Sequence, residues 1–172
     1  ITRKDAHLPE GRKYHGSELK KPEAKAAWAA VDTLAKKSIY LRREFYVAKK
    51  VKDATAYVCG LGFYEFSLNG EKVGDSEFAP LWSDYDKSVY YNTYDVTSQV
   101  KKGGNAIGVL LGNGFYNVQG GRYRKLQISF GAPTLRFRMV VNYEDGTSET
   151  IVSGKDWKYD FSPVLFNCIY GG

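Results

Sequence analysis

The sequence predicts an all-β protein, an antiparallel sandwich or jelly roll, with one short helix near its N-terminus. Three observations carry this prediction. Beyond about residue 38, apolar and polar residues alternate with a period of two in segments rich in Val, Tyr, Phe and Thr, which is typical of half-buried strands. Asn-Gly and Asp-Gly dipeptides connect such segments as hairpin turns do. Strands do not alternate with helices, as a parallel α/β sheet would require.

The N-terminal residues have a different pattern from the rest. Residues 1–22 are polar and irregular, and we expect an arm there. Residues 23–36 carry Trp28, Val31, Leu34 and Ala35 at helical spacing among strong helix formers, behind Pro22. One short helix is therefore predicted within an N-terminal arm of residues 1–37, and the domain proper is placed at residues 38–172.

The strands are predicted from the alternating segments that follow. Most are bounded by Gly, Asn, Asp or Pro, the residues that end strands. They are 43–51, 54–62, 63–70, 87–96, 105–112, 133–143, 148–154 and 164–171. Asn69-Gly70 is predicted to form a type I′ hairpin turn, because both residues tolerate a positive φ, and Asp145-Gly146 is predicted to do the same.

Composition indicates one folded globular domain. The chain has 172 residues, of which 43% are hydrophobic, 15% aromatic and 26% charged, a mixture too apolar for disorder and too polar for a membrane span. No segment approaches the roughly 18 to 20 apolar residues of a transmembrane helix, and the first residues lack the apolar core of a signal peptide. Because the chain starts with Ile, we expect it to be part of a longer protein, with any targeting signal outside it.

The net charge of +6 does not indicate a nucleic-acid partner. Lysine and arginine are scattered in doublets, which are typical of solvated turns, and the aromatic residues occupy strand positions. A nucleic-acid surface gathers basic residues on one face and interleaves them with stacking rings. We therefore expect neither nucleic acid nor a membrane span among the partners.

Two glycine-rich segments raise the question of phosphate binding. Gly112-Asn113-Gly114 lacks the Lys of a Walker loop and has Asn117 where a dinucleotide fingerprint has its third glycine. Residues 60–65 end in Glu65 instead. A strand rather than a helix is expected beside each segment, so no helix N-terminus is available to hold a phosphate.

The sequence does not indicate a common catalytic site. The only histidines, His7 and His15, lie in the polar arm, so neither a catalytic triad nor a histidine metal site is expected. Cys59 and Cys168 lie in strand-like segments and are either buried free thiols or a disulfide. Carboxylates that could serve a glycosidase are present, but their spacing selects no pair: Glu44, Glu65, Asp75, Asp84, Asp86 and Asp95.

Two segments, 80–96 and 111–123, have the composition of a carbohydrate-binding surface. Aromatic rings stack on the apolar faces of sugars, and planar amides and carboxylates bind their hydroxyl groups. The glycines of the second segment would bring backbone close to a ligand. The alternative is that these rings belong to the core or to sheet faces. The residues concerned are Trp82, Asp84, Tyr85, Asn92, Asn113, Tyr116, Asn117, Gln119, Arg122 and Tyr123.

Residues 60–116 resemble the N-terminal domain of bacterial α-L-rhamnosidases, glycoside hydrolase family 78. The likeness lies in a hairpin, "YEFSLNGEKVGD", in "PLWSDYDK", in the strand "YNTYDVT" and in "GNAIGVLLGNGFY". The upstream "LRREF" and the closing "PVLFNCIYGG" are also similar to that family, so the resemblance spans residues 38–172.

The resemblance implies a galactose-binding-like jelly roll attached to an (α/α)6 barrel that hydrolyses terminal α-L-rhamnosides with inversion. The catalytic barrel would lie farther along the parent chain, so this part is expected to be non-catalytic, without a required cofactor. Related modules bind L-rhamnose with calcium, which implies Glu65, Asn113 and Asn117 as sugar ligands and Trp82 or Tyr116 as stacking faces. Glu65 and Asn113 would be the calcium candidates.

Three functional hypotheses follow. The first is an accessory domain that recognises rhamnose-containing glycans or glycosides and contacts the other domains of the parent chain. The second is a structural inter-domain module without sugar binding, and the third is an autonomous glycosidase. We expect the parent protein to be extracytoplasmic, either periplasmic or secreted.

Overall fold

The computed structural model describes residues 37–118 and 128–170, and the predicted all-β sandwich is confirmed. The predicted arm and helix at residues 1–36 lie outside the described residues. No helix in the described ranges is long and apolar enough to cross a membrane. In chain order the strands are β1 (Ile39–Val47), β2 (Val51–Leu61), β3 (Tyr64–Leu68), β4 (Glu71–Lys72), β5 (Asn92–Asp95), β6 (Gly103–Leu111), β7 (Asn117–Val118), β8 (Ile128–Ser129), β9 (Thr134–Tyr143), β10 (Ser148–Val152) and β11 (Lys158–Phe161).

Two antiparallel sheets form the sandwich. The first has five strands in the order β11-β1-β6-β3-β4, and the second has four in the order β10-β9-β2-β5. Strands β7 and β8 form a separate two-stranded sheet. Neighbours in a sheet are often distant in the chain, as β1 and β11 are, so many of the pairings depend on long-range contacts.

The core lies between the two sheets and follows the predicted alternation. In β6, Ile107, Val109 and Leu111 are buried, and the residues between them point to the outer face of the sheet. The Phe66 ring of the first sheet meets the Phe137 ring of the second edge-on, with centroids 5.5 Å apart. Burial of side chains of this size contributes about 1.5–3 kcal/mol each, so the inward rows hold the sheets together.

The predicted hairpins form, but their turns differ. Asn69 and Gly70 have φ of 54° and 85°, which confirms the type I′ turn. At Asp145-Gly146 only Gly146 has a positive φ, of 82°, and the Gly146 N–H donates to the Tyr143 carbonyl. The prediction of a second type I′ turn is therefore wrong. The connection is a type I turn closed by a glycine bulge, in which the Asp145 carboxylate accepts hydrogen bonds from Thr147.

Several predicted strands have other bounds. Residues 164–171 were predicted as a strand, but residues 164–170 form none. The Val164 carbonyl accepts one hydrogen bond from the Ser38 N–H, and Asn167 then accepts two from Asn113, so isolated contacts replace a strand ladder. Strand β11 was not predicted, although Trp157–Phe161 alternate between apolar and polar residues; it has only four residues, and all four are exposed. Of the predicted strand 87–96, only Asn92–Asp95 forms.

Candidate functional site

The two glycine segments lie against each other at one end of the sandwich. The Gly112 N–H donates to the Phe63 carbonyl at 2.8 Å. A Cβ added to Gly62, whose φ is 126°, would lie 2.1 Å from the Gly112 carbonyl oxygen, and one added to Gly114 would lie 2.8 Å from the Phe63 nitrogen. Two backbone segments cross so closely here that a side chain at Gly62 or Gly114 would collide with the other segment, and only glycine fits.

A cluster of three asparagines fixes the loop that follows β6. The Asn113 N–H donates to Asn167 Oδ1 at 2.6 Å, and Asn113 Nδ2 donates to the Asn167 carbonyl at 3.0 Å. Asn117 Nδ2 donates to Asn113 Oδ1 at 2.9 Å. Asn113 and Asn117 are 1% and 0% exposed, so both side chains point into the protein. Asn117 Oδ1 is buried and finds no partner among the described residues.

A groove of about 490 Å³ opens beside this cluster, and we call it the loop groove. Its walls combine aromatic rings, carboxylates and small polar groups. The lining residues are Ser38, Phe63–Glu65, Ser76–Phe78, Leu110, Gly112–Gly114, Val164 and Phe166–Ile169. The groove therefore offers apolar faces and hydrogen-bonding groups together, as sites for small polar ligands do.

Two carboxylates of the loop groove share one ammonium group. Lys72 Nζ lies 2.5 Å from Glu77 Oε1 and 3.7 Å from Glu65 Oε2. The hydrogen bond to Glu77, with the charges of both carboxylates, raises the pKa of Lys72. No group of three or more potential metal-binding His, Cys, Asp or Glu side chains occurs within the described ranges. Lys72 contacts Glu65, and Asn113 Oδ1 accepts from Asn117. Calcium binding by Glu65 and Asn113 stays a prediction.

A row of aromatic rings connects the loop groove to an exposed tryptophan. Trp82 is 61% exposed and stacks on Phe115, with centroids 5.1 Å apart and planes inclined by 24°. Phe115 contacts Phe63 edge-on at 5.9 Å, and Phe63 in turn contacts Phe78 at 5.5 Å. The rings thus form a continuous surface between Trp82 and the groove.

Tyr116 belongs to a different aromatic cluster. Its ring stacks on Phe130 at 5.7 Å and meets Tyr85 edge-on at 5.2 Å, and its hydroxyl donates to the Phe130 carbonyl. Burial, with smaller contributions from Cys59 and Tyr116, raises the pKa of Tyr85 to about 12. This cluster packs the loop that carries Asn117, and it does not line the loop groove.

The structure thus brings together part of the predicted site. Glu65 and Asn113 line the loop groove, and Trp82 is joined to it through Phe115. Tyr116 and Asn117 lie away from it, and their contact with a sugar stays a prediction. Predicted residues Gln119, Arg122 and Tyr123 lie outside the described residues. Asn167, Glu77 and Phe78 were not predicted as site residues. Pro80, two residues after Phe78, was a sign in the sequence of an irregular backbone there.

Comparison with known proteins agrees with this architecture. Residues 49–172 match the family described as the alpha-L-rhamnosidase N-terminal domain. The chain belongs to this family. An alpha-L-rhamnosidase of Formosa agariphila is 44% identical over 137 residues, which are 77% of this chain and 14% of that protein.

Solved structures of rhamnosidases contain a similar domain. The alpha-L-rhamnosidase of Streptomyces avermitilis, solved in complex with L-rhamnose, matches 78% of this chain with a TM-score of 0.72 and 41% identity. The native enzyme of Aspergillus terreus matches 79% of it with a TM-score of 0.75 and 38% identity. These matches cover 13% and 16% of the respective chains, so the rhamnosidase N-terminal domain described here spans a small part of its relatives.

Proposed function

We propose that this domain is a non-catalytic accessory module of an α-L-rhamnosidase and that its loop groove binds rhamnose-containing glycans or glycosides. The observation that carries the proposal is the joint presence of Phe63, Phe78 and Phe166 with Glu65 and Glu77 around one groove. Aromatic faces suit the C–H faces of a pyranose, and carboxylates accept hydrogen bonds from its hydroxyl groups. Membership of the family and the names of its relatives support rhamnose as the sugar.

The backbone at Phe78 supports a binding role for its ring. Phe78 has a φ of 55° and is 71% exposed. A bulky residue in the left-handed region costs of order 1–3 kcal/mol and persists where the surroundings impose it. Here the next residue, Ala79, is fixed by a hydrogen bond from the Tyr64 N–H to its carbonyl at 2.7 Å. The fold thus holds this exposed ring beside the groove in spite of an unfavourable backbone conformation, which is consistent with a role for the ring in binding.

The predicted residues take different parts in this proposal. Glu65 accepts hydrogen bonds from the sugar, and Trp82 supplies an exposed stacking face at the end of the aromatic row. Asn113 lines the groove but acts mainly through its backbone position, because its amide is used within the asparagine cluster. Direct contacts from Tyr116 and Asn117 would require the loop to rearrange.

A calorimetric titration of L-rhamnose into the chain, with and without calcium, tests the proposal. We expect binding that Glu65→Gln and Trp82→Ala each weaken, while Glu71→Gln leaves it unchanged. Glu71 is an exposed carboxylate on the neighbouring strand β4 that does not line the groove. The pair of Glu65 with Lys72 is partly exposed and contributes no more than about 1 kcal/mol, so Glu65→Gln is expected to fold.

The outcomes separate the alternatives. No heat at millimolar sugar, in either buffer, contradicts sugar binding at the loop groove. Binding that appears only when calcium is added would support a calcium ion that bridges the sugar and the protein. Hydrolysis of an aryl α-L-rhamnoside by the chain alone would contradict the non-catalytic assignment.

A second candidate function is supported by the exposed apolar surface beside the groove. Phe78, Leu81 and Trp82 are 71%, 80% and 61% exposed, and Leu165 is 67% exposed on the adjoining segment. Such a patch is typical of a protein interface, and the relatives are much longer than this chain. Hydrogen-exchange protection of residues 78–82 in the full-length protein, compared with this chain, would favour inter-domain packing.

A further inference from the structure

The outer face of the five-stranded sheet has small residues along its central strand. The residues of β6 that point outward are Gly104, Ala106, Gly108 and Leu110. Their neighbours Ile107 and Val109 point into the core. The first three of these have little or no side chain and leave a trough along the middle of the sheet, which ends at the larger Leu110; we call it the β6 trough.

Strand register places larger side chains on both sides of the trough. On β1, Tyr46 lies opposite Gly104, Glu44 opposite Ala106, Arg42 opposite Gly108 and Tyr40 opposite Leu110. On β3, Ser67 lies opposite Gly108 and Glu65 opposite Leu110. Directly paired residues share one face of a sheet, so these side chains form the two walls.

The β6 trough continues into the loop groove. One depression is bordered by Tyr46, Gly104 and Ala106, and the next by Ala106, Gly108 and Leu110. Glu65 and Leu110 border both this second depression and the loop groove. From Gly104 to Leu110 the strand advances by about 20 Å, so the combined surface is far longer than a single sugar ring.

The chemistry of the trough favours an uncharged, hydroxyl-rich chain. Tyr40 and Tyr46 are 46% and 70% exposed and lie at the two ends of the β1 wall. The charges in and beside the walls give no positive excess, since Arg42 Nη2 lies 2.6 Å from Glu44 Oε1 and Lys72 is shared by Glu65 and Glu77. A polyanion would therefore gain little net attraction there, whereas hydroxyl groups could bond to both members of each pair.

A peptide is a poorer occupant. Strand β6 is paired with β1 along its whole length and with β3 from Ile107 to Leu111. Its backbone N–H and C=O groups are thus already used over most of the trough, and an extended peptide could not add a strand. A ligand must be recognised by side chains, as sugar rings are.

We propose that the β6 trough is an extended glycan-binding surface that accommodates the sugars following a terminal residue held in the loop groove. This rests on the proposed function, because it assumes that the loop groove holds the end of the same glycan. It assigns Tyr46 and Tyr40 as stacking residues for internal sugars and Gly104 and Ala106 as the floor that admits them. At Gly108 the Ser67 hydroxyl lies over the strand and donates to the Gly108 carbonyl, so it is a hydrogen-bonding group for the ligand.

Chain-length dependence tests this proposal. L-rhamnose and α-linked rhamnose di- and tetrasaccharides would be titrated into the chain and into three variants. Tyr46→Ala removes a wall, and Gly104→Val fills the floor without strain, because a Cβ there meets no atom within 4 Å and its φ is not positive. Tyr159→Ala is the matched control: this exposed tyrosine pairs with Leu41 and so lies on the opposite face of the sheet.

We expect the tetrasaccharide to bind at least about tenfold more tightly than L-rhamnose, a factor that corresponds to one good contact. Tyr46→Ala and Gly104→Val should abolish that gain and leave L-rhamnose binding unchanged, while Tyr159→Ala changes neither. Equal affinity for the monosaccharide and the tetrasaccharide would contradict glycan binding at the β6 trough but not sugar binding at the loop groove. Absence of binding by every sugar would overturn both. Equal Tm values would show that the variants are folded.

Discussion

Asn113 donates two hydrogen bonds to Asn167 across one end of the sandwich. The Asn113 N–H donates to the side-chain oxygen of Asn167, and the Asn113 side chain donates to the main-chain carbonyl of Asn167. This pair joins the loop after β6 to the segment after β11, although the residues are 54 positions apart. Because neither segment forms a ladder there, the amides replace the hydrogen bonds that a sheet would supply.

Replacing Asn167 by alanine is expected to destabilise the fold. Asn167→Ala leaves the Asn113 N–H without its side-chain acceptor, and an unsatisfied buried donor costs about 1–3 kcal/mol. Chemical denaturation measures the loss. Leu165→Ala is the matched control, since this neighbouring side chain is 67% exposed and should change stability little. Equal stability of the two variants would show that the asparagine pair contributes nothing.

Gly62 is expected to be the least replaceable of the glycines at positive φ. Gly62→Ala combines an unfavourable backbone conformation with a Cβ placed 2.1 Å from the Gly112 carbonyl oxygen. Gly146→Ala has the first penalty alone, because no atom lies within 4 Å of its Cβ position. Gly146→Ala should cost about 1 kcal/mol and Gly62→Ala several times as much, as Tm values would show. Equal losses would contradict a steric need for glycine at the crossing.

The sandwich could be predicted because strands and hairpin turns are marked by patterns among residues that are adjacent in the sequence. Alternation is visible in a strand such as Thr134–Tyr143, where every second residue is buried. Asn69-Gly70 likewise specifies its own turn. The last strand, Lys158–Phe161, was missed because it has only four residues and its partner β1 is distant in the chain.

The site was predicted only in part, because it depends on contacts distant in the chain. Asn113 was chosen for its glycine neighbours, but its partner Asn167 lies in a segment whose alternation resembled a strand. The positive φ of Phe78 depends on how the chain packs around it, and in the local sequence only the nearby Pro80 indicates an irregular backbone. Glu65 was selected as a ligand, whereas its link to Glu77 through Lys72 requires the fold of β3 and β4.

Both cysteines are expected to be free thiols that react slowly in the folded protein. Cys59 and Cys168 are 9% and 8% exposed and form no disulfide. Burial raises the pKa of Cys59, with Arg136 opposing the shift, so its reactive thiolate is scarce at neutral pH. A thiol reagent such as dithionitrobenzoate should label neither residue quickly in buffer and both in denaturant. Failure to label two thiols in denaturant without reductant would indicate a disulfide instead.

The Asp145 turn is expected to make the stability depend on pH in the acid range. Hydrogen bonds from Lys49 and then from Thr147 hold the pKa of the Asp145 carboxyl well below its usual range. Because the folded pKa is lower than the unfolded one, the stabilisation is complete above about pH 4 and is lost as the pH falls toward the folded value.

Asp145→Asn isolates this contribution, since the amide keeps the shape and the acceptor oxygen but loses the charge that pairs with Lys49 at 2.8 Å. Its Tm should be lower than that of the parent chain at pH 7, and the difference should shrink below about pH 4. Salt should reduce the difference at pH 7, because the pair is exposed to solvent and screened. Asp75→Asn, at an exposed aspartate elsewhere, is the control. A Tm difference that stays constant down to pH 2 would mean that turn geometry, and not the charge of Asp145, stabilises the hairpin.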